Sequence, residues 1–250
     1  MRIVGTSLSV VGCLCLLARL APGQDAKKPP PTEISGDVGF VLVGGNTSTS
    51  TLSVNERYIR RIDTWAFKED FGEIYGKTNG LESSNLLRAG LRADHDVASH
   101  FAIYGLTNFD RNQFAGIRSR FAEGAGGVWK ILSTNVDQFN IETGYQYTQQ
   151  RNLIGPDHNF SALREASSWK HSFTKDAYVF QNVEYIPDLQ DSNDYRVNTE
   201  TDLVAPLSAH TAMKFSYVVR FANAPPFNAA GTALLQKTDQ ILSAGIQVTY

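Results

Sequence analysis

The sequence predicts an all-β fold: a single transmembrane, antiparallel, up-and-down β-barrel of about twelve strands. Three observations predict it. From Glu33 onward, segments of about 10 to 15 residues alternate apolar with polar side chains, and turn residues separate these segments. The last segment keeps this alternation up to a final aromatic residue. The first residues have the pattern of an export signal.

The C-terminal segment has one apolar face and one polar face. Leu242, Ala244, Ile246, Val248 and Tyr250 are apolar, and the residues between them are small or polar. This period of two is that of a strand between an apolar and an aqueous medium. An alternating last strand that ends in an aromatic residue resembles the assembly signal of bacterial outer-membrane barrels. The sequence therefore predicts that Ile246, Val248 and Tyr250 are recognised by the barrel-assembly machinery.

The N-terminal residues predict export. Arg2 precedes an apolar stretch over residues 3–17, and Ala21-Pro22-Gly23 supplies the small residues that a signal peptidase requires. Residues 1–23 are therefore predicted to be a signal peptide. As an alternative, Val11-Gly12-Cys13 resembles a lipoprotein box, although the apolar stretch before it is short.

Composition limits the chemistry of the mature chain. Both cysteines, Cys13 and Cys15, lie in the predicted signal, so the mature chain uses neither disulfides nor thiolates. It has 21 basic and 25 acidic residues, a net charge of −4, which argues against nucleic acid as a partner. A proline-rich leader over residues 24–32 precedes one domain, the predicted barrel of residues 33–250.

The barrel domain is predicted to contain twelve strands joined by turns of two kinds. Short turns alternate with longer connections, as in outer-membrane barrels with short periplasmic turns and longer outer loops. An even number of strands leaves both termini on the short-turn side. The short turns lie near residues 62–63, 98–99, 133–134, 173–174 and 207–208, and the longer connections include 151–159 and 223–237. The predicted strands cover residues 34–43, 51–61, 65–76, 85–96, 101–110, 118–132, 136–149, 159–170, 177–186, 195–205, 211–222 and 240–250.

Within each predicted strand, the alternation assigns charged residues to one face. On residues 211–222, Phe215 and Tyr217 oppose Lys214 and Arg220. A soluble β-sandwich has the same period and would bury its apolar face against a second sheet. The export signal, the aromatic end and the two kinds of turn favour a barrel, which must close because open strand edges are excluded from hydrocarbon. The residues predicted to face the lumen are Arg88, Arg92, Asp94, Arg118, Arg120, Glu142, Arg196, Glu200, Asp202, Lys214 and Arg220.

An ordered set of short motifs extends over most of the mature chain. They are Gly44-Gly45-Asn46-Thr47, Trp65, Asp110-Arg111 followed by Phe114, Gly116 and Arg118, and Gly124-Ala125-Gly126-Gly127. With these motifs, residues 34–250 resemble the YdiY-like family, salt-induced outer-membrane proteins whose domain has no established function. The resemblance implies an outer-membrane location and a barrel fold, and it implies no chemistry.

No arrangement of residues predicts catalysis. In Asp94-His95-Asp96, the carboxylates face one side of the strand and the imidazole faces the other, so the aspartates are predicted to pair with Arg88 and Arg92. His158 lies in an outer loop without a recognisable serine motif, and the five histidines lack metal-ligand spacing. Gly124-Ala125-Gly126-Gly127 is predicted to be a tight packing site inside a strand. The sequence thus predicts no catalytic residue, no cofactor and no metal ligand.

Two functional hypotheses follow from the predicted barrel. In the first, it is a porin-like channel for ions or small solutes, with weak ion selectivity because lumen charges of both signs are present. In the second, the lumen is closed, and the protein is a structural or envelope-stress component whose outer loops bind partners. An outer-membrane hydrolase ranks third. In each case, the sequence predicts a monomer in contact with the outer-membrane lipid of a Gram-negative-type bacterium, reached by export through the periplasm.

Overall fold

Twelve alternating segments pair edge to edge into one closed barrel. The computed structural model describes residues 30–44, 49–78, 81–228 and 230–249. Each strand pairs antiparallel with its neighbours in sequence, and the last strand pairs with the first, which confirms the predicted all-β, antiparallel, up-and-down barrel of twelve strands. The strands are β1 Thr32–Gly44, β2 Thr49–Ile62, β3 Trp65–Thr78, β4 Leu81–Ala98, β5 Phe101–Asn112, β6 Ile117–Ser133, β7 Asp137–Asn152, β8 His158–Ser172, β9 Tyr178–Pro187, β10 Tyr195–Pro206, β11 Thr211–Ala222 and β12 Thr238–Thr249.

The seam between β1 and β12 relies on two facing glycines. Gly39 lies opposite Gly245 in the β1–β12 register. A Cβ atom on Gly39 would lie 2.5 Å from the backbone oxygen of Ala244, so a larger residue would push the two strands apart. The absence of side chains at this point allows the closing pair to keep its hydrogen bonds.

The predicted termini are only partly covered by the described residues. Ile246 and Val248 lie in β12, and Ile246 is exposed on its outer face. Tyr250 and the predicted signal peptide, residues 1–23, lie outside the described residues. The first strand begins at Thr32, one residue before the predicted start of the barrel domain.

The outer face of the barrel is mainly apolar, and the inner face combines charged and polar side chains with small buried apolar clusters. In β11, Phe215 and Tyr217 are exposed, whereas Ser216 between them is buried against the lumen side. In other strands, such as β8, apolar residues lie on both faces. No helix within the described residues is long and apolar enough to span a membrane. The outer face also contains exposed carboxylates, at Glu56, Glu69, Glu73, Glu123 and Glu165.

The two ends of the barrel differ in their connections. At the end we call the turn end, β2–β3 and β4–β5 are each joined by two residues. The opposite end, the loop end, contains the β9–β10 loop, residues 188–194, and the β11–β12 loop, residues 223–237. Between β5 and β6 it also contains a short 3-10 helix, Gln113–Ala115, which ends at Gly116 with a φ of 74°. Thr32 pairs with Arg60 near the turn end, so β1 starts there.

Candidate functional site in the barrel lumen

A chain of ion pairs, here called the crossing layer, crosses the lumen from β3 to β10. The strands bring its side chains together because every second residue of a strand faces inward. Its members, in order of contact, are Lys68, Asp94, Arg92, Glu142, Arg164, Glu184 and Asn198.

Glu142 is the centre of the crossing layer. Arg92 donates to both of its carboxylate oxygens, at 2.9 and 3.0 Å, and Arg164 donates to Oε2 at 2.7 Å. Arg164 also donates to Glu184 at 2.6 Å. The side chains of Arg92, Glu142 and Arg164 are only 18, 12 and 9% exposed. Because charge-assisted, two-pronged bonds are strong and buried charges are costly without partners, these three side chains hold one arrangement.

Tyr104 of β5 packs against the crossing layer. The guanidinium carbons of Arg92 and Arg164 lie 4.3 and 5.5 Å from the centre of its ring, and its hydroxyl accepts a hydrogen bond from Arg164 at 3.1 Å. Two glycines leave room for the ring. A Cβ atom on Gly126 would lie 2.9 Å from Cε1 of Tyr104, and one on Gly144 would lie 2.5 Å from the hydroxyl oxygen. The glycine-rich stretch of β6 thus provides space for an aromatic ring that supports two arginines.

A chamber lies beside the crossing layer, against the strands of the seam. Its cavity volume is about 30 Å³, and the empty space around it, including the open mouth, is about 480 Å³. Arg88, Glu200 and Arg220 line it, and within the described part of the chain none of the three is joined to an opposite charge in an ion pair. Arg88 donates one long hydrogen bond, of 3.4 Å, to the side chain of Asn55. The chamber therefore presents charges of both signs that are not neutralised by direct pairing.

Lys214 connects strands on both sides of β12. Its ammonium nitrogen lies 3.4 Å from Asp37 of β1 and 3.3 Å from Asp202 of β10. The three side chains are 19, 16 and 6% exposed. Lys214 thereby holds together the charges that line the inside of the seam.

A second polar group, the loop-end layer, lies nearer the loops. Arg120 lies 3.7 Å from Asp110 and donates to the side-chain oxygen of Gln150 at 2.9 Å. Arg196 donates to the same oxygen at 3.1 Å and lies over the ring of Phe160, 4.6 Å from its centre. Two arginines therefore share one neutral acceptor, which leaves this layer rich in positive charge.

The residues predicted to face the lumen are distributed over these groups. Arg92, Asp94 and Glu142 belong to the crossing layer, Arg88, Glu200, Lys214 and Arg220 line the chamber, Asp202 contacts Lys214, and Arg120 and Arg196 form the loop-end layer. Arg118 is different, since it is exposed and lies in the register shift between Ile117 and Ser119, where a bulge interrupts the alternation.

Several members of the layers were not among the predicted lumen residues. They include Lys68, Asp110, Gln150, Arg164, Glu184 and Asn198, and Asp37 on Lys214 was not predicted either. In β8, Phe160 and Ala162 are apolar, yet they are buried on the same face as Arg164. Apolar residues on both faces conceal the period of two, so the sequence pattern did not assign the face of Arg164. Arg164 follows Phe160 and Ala162 at intervals of two residues, and this spacing is the signal that would have assigned Arg164 to the inner face.

The histidines fall into separate environments. His95 stacks on Trp65 at 4.5 Å between ring centres, away from Asp94 in the crossing layer. His171 contacts Asp137 at 2.8 Å near the turn end. His158 lies close to two aspartates from the β9–β10 loop, and the three offer ligand atoms within 4.8 Å of one another. Their positions in the sequence give no sign of this convergence, which the barrel produces by bringing three strand ends together.

The sequence and the fold were compared with known proteins. A family model described as a protein of unknown function, DUF481, matches residues 36–250. This match is consistent with the resemblance to the YdiY-like family and confirms it. No curated protein matches the sequence.

Among solved structures, the NanC porin resembles the barrel with a TM-score of 0.57 and 9% identity, over 85% of this chain and 98% of that chain. The KdgM porin has a TM-score of 0.49 and 10% identity, over 86% and 99% of the two chains. An anion-selective porin from Comamonas acidovorans has a TM-score of 0.46 and 8% identity, over 88% and 98%. At these identities the likeness to the NanC porin extends to the fold alone, and the two lower scores add no argument.

Proposed function

The chain belongs to the DUF481 family, whose function is unknown, and from this premise we propose that it forms a narrow, weakly selective outer-membrane channel for ions or small solutes. The chamber carries the proposal. It is lined by Arg88, Glu200 and Arg220, whose charges are not neutralised in ion pairs among the described residues, and also by a cluster of apolar side chains, Ile74, Leu86, Val218 and Ile241. Rings of charged side chains around a wet path pass ions, and charges of both signs give little selectivity.

An outer-membrane location is supported by the sorting of side chains. Exposed apolar residues such as Leu203, Phe215 and Leu242 share the outer face, and charged layers fill the inside. Lipid is the solvent that favours this arrangement in a closed barrel. The outer carboxylates, such as Glu69 and Glu165, are compatible with it because Asp and Glu cost less than Arg and Lys on a lipid face.

A closed structural barrel is the second candidate, and the crossing layer favours it. The bonds from Arg92 of β4 through Glu142 of β7 to Arg164 of β8 join β4 to strands that are not its neighbours, so an ion must pass beside them or displace them. With a closed lumen, the protein would act in envelope stress, in keeping with the salt induction that the YdiY-like resemblance implies. The β11–β12 loop, residues 223–237, would then be the surface for partners. A hydrolase remains the third candidate, and no grouping of the described side chains argues for its chemistry.

The proposal also covers assembly and oligomeric state. We expect the barrel-assembly machinery to recognise β12, because this strand completes the seam with β1. We expect a monomer, because the crossing layer is completed by side chains of one chain.

Single-channel recording tests the proposal. The mature chain is refolded in detergent, its folded state is verified by a change in gel mobility on boiling, and it is inserted into a planar bilayer. We expect discrete, reproducible conductance steps whose reversal potential in a salt gradient indicates weak selectivity. A folded barrel that inserts and remains silent would overturn the channel and favour the closed barrel.

A further inference from the structure

Three side chains at the loop end form a cluster that the proposed channel does not use. His158 is the first residue of β8, Asp188 directly follows β9, and Asp194 directly precedes β10. Nε2 of His158 lies 2.9 Å from Oδ2 of Asp194 and 3.5 Å from Oδ2 of Asp188. From this geometry we propose that the cluster is a binding site for a divalent cation of the Zn²⁺ class.

The two carboxylates of the cluster are buried. The side chain of Asp188 is 2% exposed and that of Asp194 is 8% exposed. Buried carboxylates are costly unless cations or hydrogen-bond donors compensate them. Asp188 receives one backbone hydrogen bond, from Gln190 to Oδ1 at 2.7 Å. The nearby guanidinium of Arg196 donates to Gln150, and within the described part of the chain no arginine or lysine contacts either carboxylate.

The imidazole of His158 faces the same two carboxylates. Its Nε2 atom is buried, and despite the distance of 2.9 Å to Asp194 it forms no hydrogen bond of acceptable geometry. In the tautomer that has its proton on Nδ1, the lone pair of Nε2 faces carboxylate oxygens, which is unfavourable without a cation. A metal ion bound by all three atoms converts this arrangement into coordination, and a neutral imidazole is the commonest metal ligand in proteins.

The backbone holds the ligands in place. The amide of Asp188 donates to the carbonyl of Asp194 at 2.8 Å, and the amide of Asp194 donates to Asp191 at 2.9 Å. The next residue, Leu189, donates to the carbonyl of Ser161 in β8 at 2.8 Å. Both aspartates are therefore fixed to the strand that contributes His158. A site preorganised in this way loses little conformational entropy when it binds.

The donor set selects the class of metal. One imidazole nitrogen and two carboxylate oxygens suit Zn²⁺, which takes such ligands at about 2.0–2.2 Å in a tetrahedron whose fourth position holds water. Ca²⁺ takes about six to eight oxygen ligands and would be poorly served by three side chains of which one is imidazole. The bound ion would fasten the β9–β10 loop to β8 at the mouth of the lumen.

Calorimetric titration of the untagged, refolded barrel with zinc chloride tests this site. We expect one Zn²⁺ per chain, with no competition from Ca²⁺ in excess. His158→Gln and Asp188→Asn should each raise the dissociation constant by at least about tenfold, since loss even of an outer-shell partner has effects of this size. The matched control is His171→Gln, which removes an imidazole that contacts only one carboxylate, Asp137 at 2.8 Å, and should leave zinc binding unchanged.

Two results would overturn the site. One is the absence of saturable zinc binding in the wild-type barrel, and the other is equal zinc affinity in His158→Gln and His171→Gln. Visible absorption of wild-type protein with Co²⁺ supplies a readout that needs no variant, in case Asp188→Asn does not fold. We expect intense bands of a four-coordinate ion that Zn²⁺ abolishes, and the weak spectrum of hydrated Co²⁺ would contradict the proposal.

Discussion

Arg92 of β4 donates two parallel hydrogen bonds to Glu142 of β7 inside the lumen. Strands β5 and β6 separate them along the wall. The pair forms because β6 contributes only small side chains at this level, including Gly126, above which Tyr104 lies. At this level of the lumen, one carboxylate is therefore held by two arginines.

Neutralising this carboxylate should widen the passage. In Glu142→Gln, the amide keeps the size of the side chain but loses the charge that attracts Arg92 and Arg164. We expect a higher single-channel conductance and a reversal potential shifted towards anions, because two arginines then lack a shared counter-charge. Stability should fall by about 1–3 kcal/mol, since a buried pair loses one partner.

Glu165→Gln is the matched control for this experiment. Glu165 lies on β8 opposite Thr143, one residue along β7 from Glu142, but it is exposed on the outer face. The same chemical change there should leave conductance and selectivity as in the wild type. If the two variants have the same conductance and reversal potential, the crossing layer does not limit passage.

The glycine beside Tyr104 should be irreplaceable. In Gly126→Ala, the new Cβ atom would collide with the backbone oxygen of Thr143 and lie 2.9 Å from Tyr104. We expect the free energy of unfolding to fall by roughly 1–3 kcal/mol, the usual cost of overpacking. Urea unfolding in lipid vesicles, followed by tryptophan fluorescence, measures it.

Gly105→Ala supplies the comparison for Gly126→Ala. Gly105 also lies in a strand of this wall, but a Cβ atom there would have no neighbour within 4 Å. Its unfolding free energy should change by no more than about 0.5 kcal/mol. Equal losses in the two variants would mean that strand propensity, and not the contacts with Thr143 and Tyr104, sets the cost.

The sequence pattern was sufficient to predict the number and order of the strands, because small or polar residues mark the turns and a period of two marks most strands. The prediction for β4 began at Asn85, whereas the strand begins at Leu81. The four residues from Leu81 to Ser84 are mostly polar, so the sequence pattern does not mark them as a strand. They are nevertheless part of β4 because β3 continues to pair with them.

The layers inside the barrel were less predictable than its strands. Alternation indicates that a side chain such as Glu142 faces inward, but it does not indicate which inward side chain across the lumen it meets. Arg92 and Glu142 are 50 residues apart and come together only because the closed barrel curves their strands towards each other. The cluster of His158, Asp188 and Asp194 depends on closure and loop geometry in the same way.

Lys214 should contribute to the thermal resistance of the seam. Lys214→Met leaves Asp37 and Asp202 without the cation that they share, although the volume of the side chain is kept. We expect the free energy of unfolding to fall by about 2–4 kcal/mol, because two poorly exposed carboxylates lose the cation that they share. The measurement is the temperature at which the compact form seen on unboiled gels converts to the unfolded form.

Lys175→Met is the control for the seam, because Lys175 is exposed in the turn between β8 and β9. Its conversion temperature should equal that of the wild type. If Lys214→Met also converts at the wild-type temperature, the bridge between Asp37 and Asp202 does not stabilise the closed barrel.

The solvent of the outer face can be identified by placing a charge on it. Val183 lies near the middle of β9 and is 37% exposed, opposite Ser167 of β8 and Thr199 of β10. In lipid, Val183→Arg should lower the free energy of unfolding by about 2–4 kcal/mol. An exposed position in water would tolerate the same change within about 0.5 kcal/mol.

Leu207→Arg, in the β10–β11 turn at 58% exposure, is the control and should have little effect. Urea titration in phospholipid vesicles measures both variants, and equal stability of the two would contradict a membrane-embedded outer face.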